Sequence, residues 1–544
     1  MIDPTKNLAT NQELSEWTVM IYFAADNDLI PAAAADLAEI KEIGSNKEVH
    51  VIAQNIVPAT GLTARYRLRK GTFLEEDIRQ LLEPNLDHPP ASLSDFVCWA
   101  IDEYPARRYM VVLWGHGLGW EGHELHPIDP KNTTGRKMNA ADKILNVGKR
   151  RTLDRMMQTA PVARTMGMQG PGAAAVAVID EEPETSPPDF LDSDNLRDAL
   201  AKIKVKINEK AGISSTNGAA RKIDILGMDI CLMAMAEVGY QVRESVDFMV
   251  ASEEAEPAES WPYASILSDL HERPDLAPDD LAVRIARKYI LYFQKEGKFI
   301  TQSVCNLSRA NELLHKLKEL ARVLKNAFAA NDEQVMYAVM MARSMAQSYY
   351  MKEFIDLHHF CDQLLKICEG GGAKFKRMGE PSERLLYVRE NCAEILNVIR
   401  AQAYHQGRDQ SVGFVYDYGF YGFPLRDSNG VSIYFPCDRI EPGYADLDFN
   451  RNKETEDETT WNDFLTEFVL GFPGPDDPPK TPTGNAPTSN NLKGKAGDPN
   501  KGKAGDPNKV PTPPSEHLPQ LIGGSPDGKM PGGAASEASN AYSE

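Results

Sequence analysis

The chain has 544 residues, 42% of them hydrophobic and 25% charged, with a formal net charge of −20. Such a chain is globular, with material for two or three domains and a full hydrophobic core. The acidic balance disfavours nucleic acid and anionic membrane surfaces and suits basic substrates, and no apolar run approaches the roughly 20 residues of a membrane span.

Residues 1–16 read as a flexible N-terminus. They lack a basic segment followed by an apolar one, so a cytoplasmic location is expected, with export by another route left open. Trp17 to Ala25 is a nearly continuous apolar and β-branched run, which predicts a buried central strand. Asp26-Asn27-Asp28 breaks it, and Leu29 to Ile43 is a helix closed by Gly44. Val49 to Ala53 is the next strand, Arg65 to Arg69 alternates like an edge strand, Ser92 to Asp102 is a helix, and Tyr109 to Trp114 is another buried strand. This alternation predicts an α/β core over 17–271, a mostly parallel sheet with helices on both faces.

Residues 121–172 are rich in Gly, Pro and Met, and basic, which marks a long insertion within that core. Ala173 to Ile179 returns to strand, Asp194 to Glu209 is helical, and Arg221 to Ile230 is a further buried strand. A helix-like run, Met233 to Val246, follows, and then a strand over Asp247 to Ser252. From 272 to 470 the chain reads as mainly helical, over 278–296, 308–330, 333–346, 354–369 and 383–403, with strand-like runs between 411 and 436. Trp461 to Phe468 is a short amphipathic helix. The remainder, 471–544, is rich in Pro, Gly, Asn and Lys and repeats Lys-Gly-Lys-Ala-Gly-Asp-Pro-Asn at 493–500 and 501–508. A segment of that composition is expected to be disordered.

The seven cysteines are Cys98, Cys231, Cys305, Cys361, Cys368, Cys392 and Cys437. Their odd number, wide spacing and lack of a CxxC pair argue against a disulfide framework or a structural zinc site. Six read as packing residues; Cys231 differs. It ends a buried strand, ahead of a helical run, a setting that lowers a thiol's pKa and exposes its sulfur. His116 occupies the end of another strand, in Trp114-Gly-His-Gly117, where a general base beside a close-approaching backbone N–H fits. Asp229, two residues before the cysteine, is placed to bind a cationic side chain or to cap the next segment. Ser252 and Glu253, at the end of the following strand, are candidates for the wall of an acidic cleft. Gly117-Leu-Gly119-Trp-Glu-Gly122 formally matches a dinucleotide fingerprint, but the prolines at 127 and 130 deny it the helix it needs. His116, His123 and His126 lack the spacing of a zinc set, so no metal is assigned.

His-Gly at one strand end and Asp-x-Cys at a later one resemble the caspase–haemoglobinase clan of cysteine peptidases, and within it the clostripain-like family. The resemblance rests on Thr18 to Tyr22 with Ala25-Asp26-Asn27, Leu113 to Gly117 with Gly119-Trp120, Leu226 to Met235 with Glu237, and Val250 to Pro257 with Trp261-Pro-Tyr263. Asp356-Leu with Phe360, Ser432 to Pro436, and Trp461 with Phe464-Leu465 extend it, so that it spans about 15–470 in order. It implies a caspase-like fold and a Cys–His dyad of Cys231 and His116, with an oxyanion hole from the backbone N–H groups of Gly117 and Cys231. It also implies Asp229 as the group that binds Arg or Lys in a peptide or protein substrate. Self-cleavage between the two strands is a family habit, and Lys149, Arg150 and Arg151 are the expected positions. Some relatives use calcium; no D-x-D-x-D-G loop is present here, which leaves only scattered backbone oxygens for such an ion. The loop Pro257-Ala-Glu-Ser-Trp261 departs from the family's glycines, and a degenerate scaffold or a thiol acyltransferase would share the same residues.

Overall fold

A computed structural model describes residues 14–24, 29–57, 62–82, 93–121, 123–124, 190–191, 193–213, 220–370, 378–400, 413–451 and 458–471. Lys149, Arg150 and Arg151, the expected 173–179 strand, His126, Asp26 and the tail after 471 lie outside them. The strands, in chain order, are β1 (Ser15–Phe23), β2 (Val49–Val57), β3 (Leu62–Arg67), β4 (Ile78–Leu82), β5 (Ala106–Trp114), β6 (His123–Glu124), β7 (Phe190–Leu191), β8 (Ile223–Asp229), β9 (Val246–Ala251), β10 (Ile300–Asn306), β11 (Phe354–Asp356), β12 (Val415–Tyr421) and β13 (Ser432–Tyr434). Nine of them form one sheet in the order β12-β10-β9-β8-β5-β1-β2-β3-β4.

Its centre is parallel: β2, β1, β5, β8 and β9 pair in that sense. Antiparallel strands close both sides, β3 and β4 beyond β2, and β10 and β12 beyond β9. The continuous apolar run of β1 has the expected cause. Trp17, Val19, Ile21 and Phe23 enter the core on one face while Met20 and Tyr22 enter the core on the other.

Helices α1 (Ile30–Ile43), α5 (Tyr263–Glu272) and α6 (Pro278–Lys295) cover the first face. The second is covered by α2 (Leu93–Glu103), α3 (Ser193–Lys210), α4 (Ala236–Val242) and α7 (Ala310–Ala329). Behind them pack α8 (Glu333–Met345), α9 (Leu357–Gly370), α10 (Glu383–Ile399) and α12 (Trp461–Gly471), with α11 a single turn over Asp448–Arg451.

Three differences from the sequence reading bear on function. The sheet crosses the boundary expected at 271/272, because β10, and β12 from the strand-like runs expected between 411 and 436, join it. The helix expected over 354–369 begins with β11, which pairs with β13. The helix expected from Met233 is α4, seven residues that start at Ala236, because Met235 is first laid beside Ser432 in an extended bridge. The described cysteines are unpaired; Cys437 is exposed, in contrast to the buried Cys305, Cys361, Cys368 and Cys392.

Candidate active site

The site lies where β5 and β8 end side by side. Their pairing sets Trp114 opposite Asp229, and the Gly115 N–H reaches the Asp229 carbonyl at 3.5 Å. His116 and Cys231 each follow two residues after these paired strand ends. Gly117 then lies on the cysteine segment: a β-carbon there would stand 2.1 Å from Ile230 Cγ2 and 2.7 Å from the Cys231 carbonyl oxygen. Only glycine lets the two strand ends approach so closely. At Gly119, with φ of 64°, an added β-carbon would stand 2.5 Å from Met235 Sδ and 2.7 Å from the Phe354 ring.

Beyond Asp229 the strand stops. Leu232 takes φ of 66°, a left-handed conformation that costs a non-glycine residue about 1–2 kcal/mol. Neighbouring backbone holds it there: Leu232 N–H donates to Glu254 O at 3.3 Å, Ala234 N–H to Ser252 O at 2.9 Å, and Ser432 N–H to Ala234 O at 2.8 Å. The reversal turns Cys231 into a site covered by the loop after β9.

That cover changes the expected electrostatics. Cys231 is 9% exposed. Burial pushes its thiol up to about 11, and the charges of Glu254 and Asp229 act in the same direction. The Glu256 N–H, donated to Sγ at 3.2 Å, opposes them. The lowering expected from a following helix is absent: α4 starts five residues after Cys231, and the acidic loop after β9 lies against the sulfur.

Asp229 is 5% exposed. Its Oδ2 accepts the Tyr263 hydroxyl at 2.7 Å and the Trp261 N–H at 3.2 Å. Its carboxyl also hydrogen-bonds to that of Glu256, whose Oε1 accepts Gln302 Nε2 at 3.2 Å. Burial pushes Asp229 up to about 6 against these bonds. Glu256 is driven further, well above the usual carboxylate range, by burial and then by the Asp229 charge, so it carries the proton the two acids share. Behind them, Asp36 of α1 accepts Trp114 Nε1 at 2.7 Å, and that same N–H reaches Ser260 Oγ at 3.0 Å. Burial and the Asp229 charge push Asp36 up to about 7.

Ser252 and Glu253, expected on the cleft wall, are each 1% exposed. Ser252 Oγ shares a hydrogen bond with Thr301 Oγ1 at 2.9 Å, and Glu253 Oε2 accepts the Gly430 N–H at 2.9 Å. They brace the loop from behind. Sequence reasoning missed Asp36, Glu256 and Gln302 as parts of the site. Gln302 had a signal in the β-branched run Ile300-Thr301 ahead of Val304, which marks β10. Among the described residues no three His, Cys, Asp or Glu side chains converge as metal ligands. No described helix is long and apolar enough to cross a membrane.

The chain is similar to a secreted C11 cysteine protease from Bacteroides thetaiotaomicron, solved with an irreversible peptide inhibitor, at 16% identity and a TM-score of 0.45, over 80% of this chain and 98% of that one. It is also similar to an inactive zymogen C11 protease from Parabacteroides distasonis, at 19% identity and a TM-score of 0.45, over 80% of this chain and 98% of that one. No curated protein matches it. The model of the clostripain family, peptidase family C11, matches residues 21–147 and 184–468, most of the chain, with β5, β8 and the segments after both inside the match. That match, over a chain with this mostly parallel sheet, makes the chain a member of the clostripain family of cysteine peptidases.

Proposed function

We propose that this peptidase hydrolyses bonds after Arg or Lys through a dyad of Cys231 and His116. The observation that supports the reading is the β5–β8 register, which ends with Trp114 opposite Asp229, so that His116 and Cys231 each follow two residues beyond a paired strand end. His116 takes the thiol proton, and the thiolate attacks the scissile carbonyl. The backbone N–H groups of Gly117 and Cys231 receive the developing oxyanion, an interaction that needs the close approach only glycine allows. His116 returns its proton to the leaving amine, and a water that it activates releases the acyl group.

Asp229 receives the guanidinium or ammonium of the residue before the cleaved bond, in a charge-assisted bond. That service requires the Glu256 carboxyl to leave Asp229 and the Glu256 amide to leave Sγ. Turnover therefore includes a movement of the loop after β9. Cleavage of the chain's own 121–172 segment, at Lys149, Arg150 or Arg151, belongs to the same reading: those are basic residues between the two halves of the dyad.

The test uses fluorogenic peptides ending in Arg, Lys or Asp. Wild type is expected to release the Arg and Lys reporters only. Cys231→Ala is expected to release none, and His116→Ala to lose about a thousandfold. Wild type that cuts none of the three overturns the peptidase reading, and so does equal cutting by Cys231→Ala. Intact mass of freshly purified protein is expected to show a break between 121 and 172 in wild type alone; an intact chain with full activity removes the self-cleavage.

A further inference from the structure

Two acids that the mechanism leaves unused meet behind the nucleophile. Glu253 follows β9 and Asp356 ends β11. Their side chains are 1% and 0% exposed, and their carboxyls hydrogen-bond to each other. Asp356 is rich in donors: it accepts the His359 N–H, the Asn429 N–H and, at 3.1 Å, Asn429 Nδ2, while the Tyr349 hydroxyl lies 3.3 Å away. Glu253 has fewer: its Oε2 accepts the Gly430 N–H at 2.9 Å, and the Tyr349 hydroxyl also hydrogen-bonds to its carboxyl.

The nearest cations stop one residue short of the pair: Arg400 Nη2 donates to Asn429 Oδ1 at 2.6 Å and Lys352 Nζ to the Tyr349 carbonyl at 3.0 Å. Burial pushes the Tyr349 hydroxyl well above its ordinary range and the Cys305 thiol up to about 12, and it lowers the His359 imidazole, whose Nδ1 accepts the Gln347 N–H. Two buried carboxyls in contact without a cation hold one proton between them, and the donor-poor Glu253 is the one that keeps it.

Three residues after Glu253 comes the amide that touches the nucleophile. Thr301 Oγ1 accepts the N–H groups of Glu253 and Glu254 at 3.0 Å each, Glu254 Oε1 accepts the Tyr350 N–H at 3.1 Å, and the Glu256 N–H lies 3.2 Å from Cys231 Sγ. We propose that Glu253 and Asp356 are a proton-sharing pair of positioning residues that holds residues 253–256 over Cys231, and that loss of the shared proton sets two like charges together and frees the thiol. The proposal rests on Cys231 being the nucleophile, but its test needs no peptide substrate.

The test measures the rate at which neutral iodoacetamide labels the Cys231 peptide, by mass spectrometry, from pH 6 to pH 9. Thermal melts of the same samples confirm folding. Glu253→Gln mimics the protonated acid: its amide oxygen accepts the Gly430 N–H and its NH2 donates to Asp356. It is expected to keep the cover closed throughout. The ratio of wild-type to Glu253→Gln labelling rates is then expected to rise about tenfold across the range, as the wild-type pair loses its proton. Glu253→Ala, which breaks both the pair and the Gly430 bond, is expected to label fast at every pH. A ratio that stays flat overturns the proposal, as does a folded Glu253→Ala that labels no faster than wild type. Failure of the peptidase reading would appear separately, as unreleased reporter peptides with the labelling profile intact.

Discussion

Ser260 adopts φ of 58° in the loop that carries Trp261 to Asp229. A side chain in that conformation costs about 1 kcal/mol relative to glycine, and the Ser260 hydroxyl offsets some of it by meeting Trp114 Nε1. Ser260→Ala loses the hydroxyl and keeps the strain; Ser260→Gly loses the hydroxyl and releases it. The glycine variant is expected to be the more stable of the two by about 1 kcal/mol in urea titrations, and equal midpoints would show that the backbone there is unstrained. Asp229→Ala is expected to abolish the preference for Arg and Lys reporters while Cys231 still alkylates. An unchanged preference would move the specificity elsewhere. At this scale the sequence was legible in where β5 and β8 end, just ahead of His116 and Cys231. Glu256 was not legible as a partner of Asp229, because nothing local says that a loop from β9 turns back over β8.

Among elements, the contact between the β5 and β8 ends carries the most weight. Gly117→Ala puts a methyl group against Ile230 and the Cys231 carbonyl, an overpacking of about 1–3 kcal/mol. It also pushes the His-Gly segment off the cysteine. Activity is expected to fall at least about a hundredfold, with a lowered melting temperature, and a variant of near wild-type activity would mean that the two ends are not in register during turnover. The parallel strands were legible because both of their faces are buried, so each reads as an apolar run. β10 was not, since Thr301, Gln302 and Ser303 fill its middle and point at the loop after β9 and its neighbours rather than into an apolar core. β11 was hidden by its three-residue length, which tertiary pairing with β13 alone decides.

For the whole molecule, the buried acids set the response to pH. Burial pushes Asp224, Asp229 and Asp356 up to about 6, Asp36 and Glu237 up to about 7, and Glu253 and Glu256 well above the usual carboxylate range. Each carries more protons in the folded chain than in the unfolded chain, between its unfolded value near 4 and its folded one, so each makes stability fall as pH rises through that window. Burial also lowers His50 and His358 to about 4. These two act in the opposite sense, but only up to the unfolded histidine value near 6.5. Above it the acids act alone. The urea midpoint is therefore expected to be lower at pH 8.5 than at pH 6.5, by an amount worth roughly 1–3 kcal/mol, and Glu237→Gln is expected to flatten part of the slope. A midpoint that rises over this interval would contradict the assignment of neutral buried acids.

The closing strands of the sheet have a consequence for synthesis. A chain elongated only as far as residue 299 possesses His116, Cys231 and Asp229, yet β9 is still an open edge, and neither Thr301 nor Gly430 exists to hold the loop that follows it. The bridge that extends Met235 toward the short helix after it also waits for Ser432. The reactive centre thus takes its final form only after nearly all of the folded region has left the ribosome. For an enzyme that cuts polypeptides, the thiol is made well before the strands that hold its cover in place.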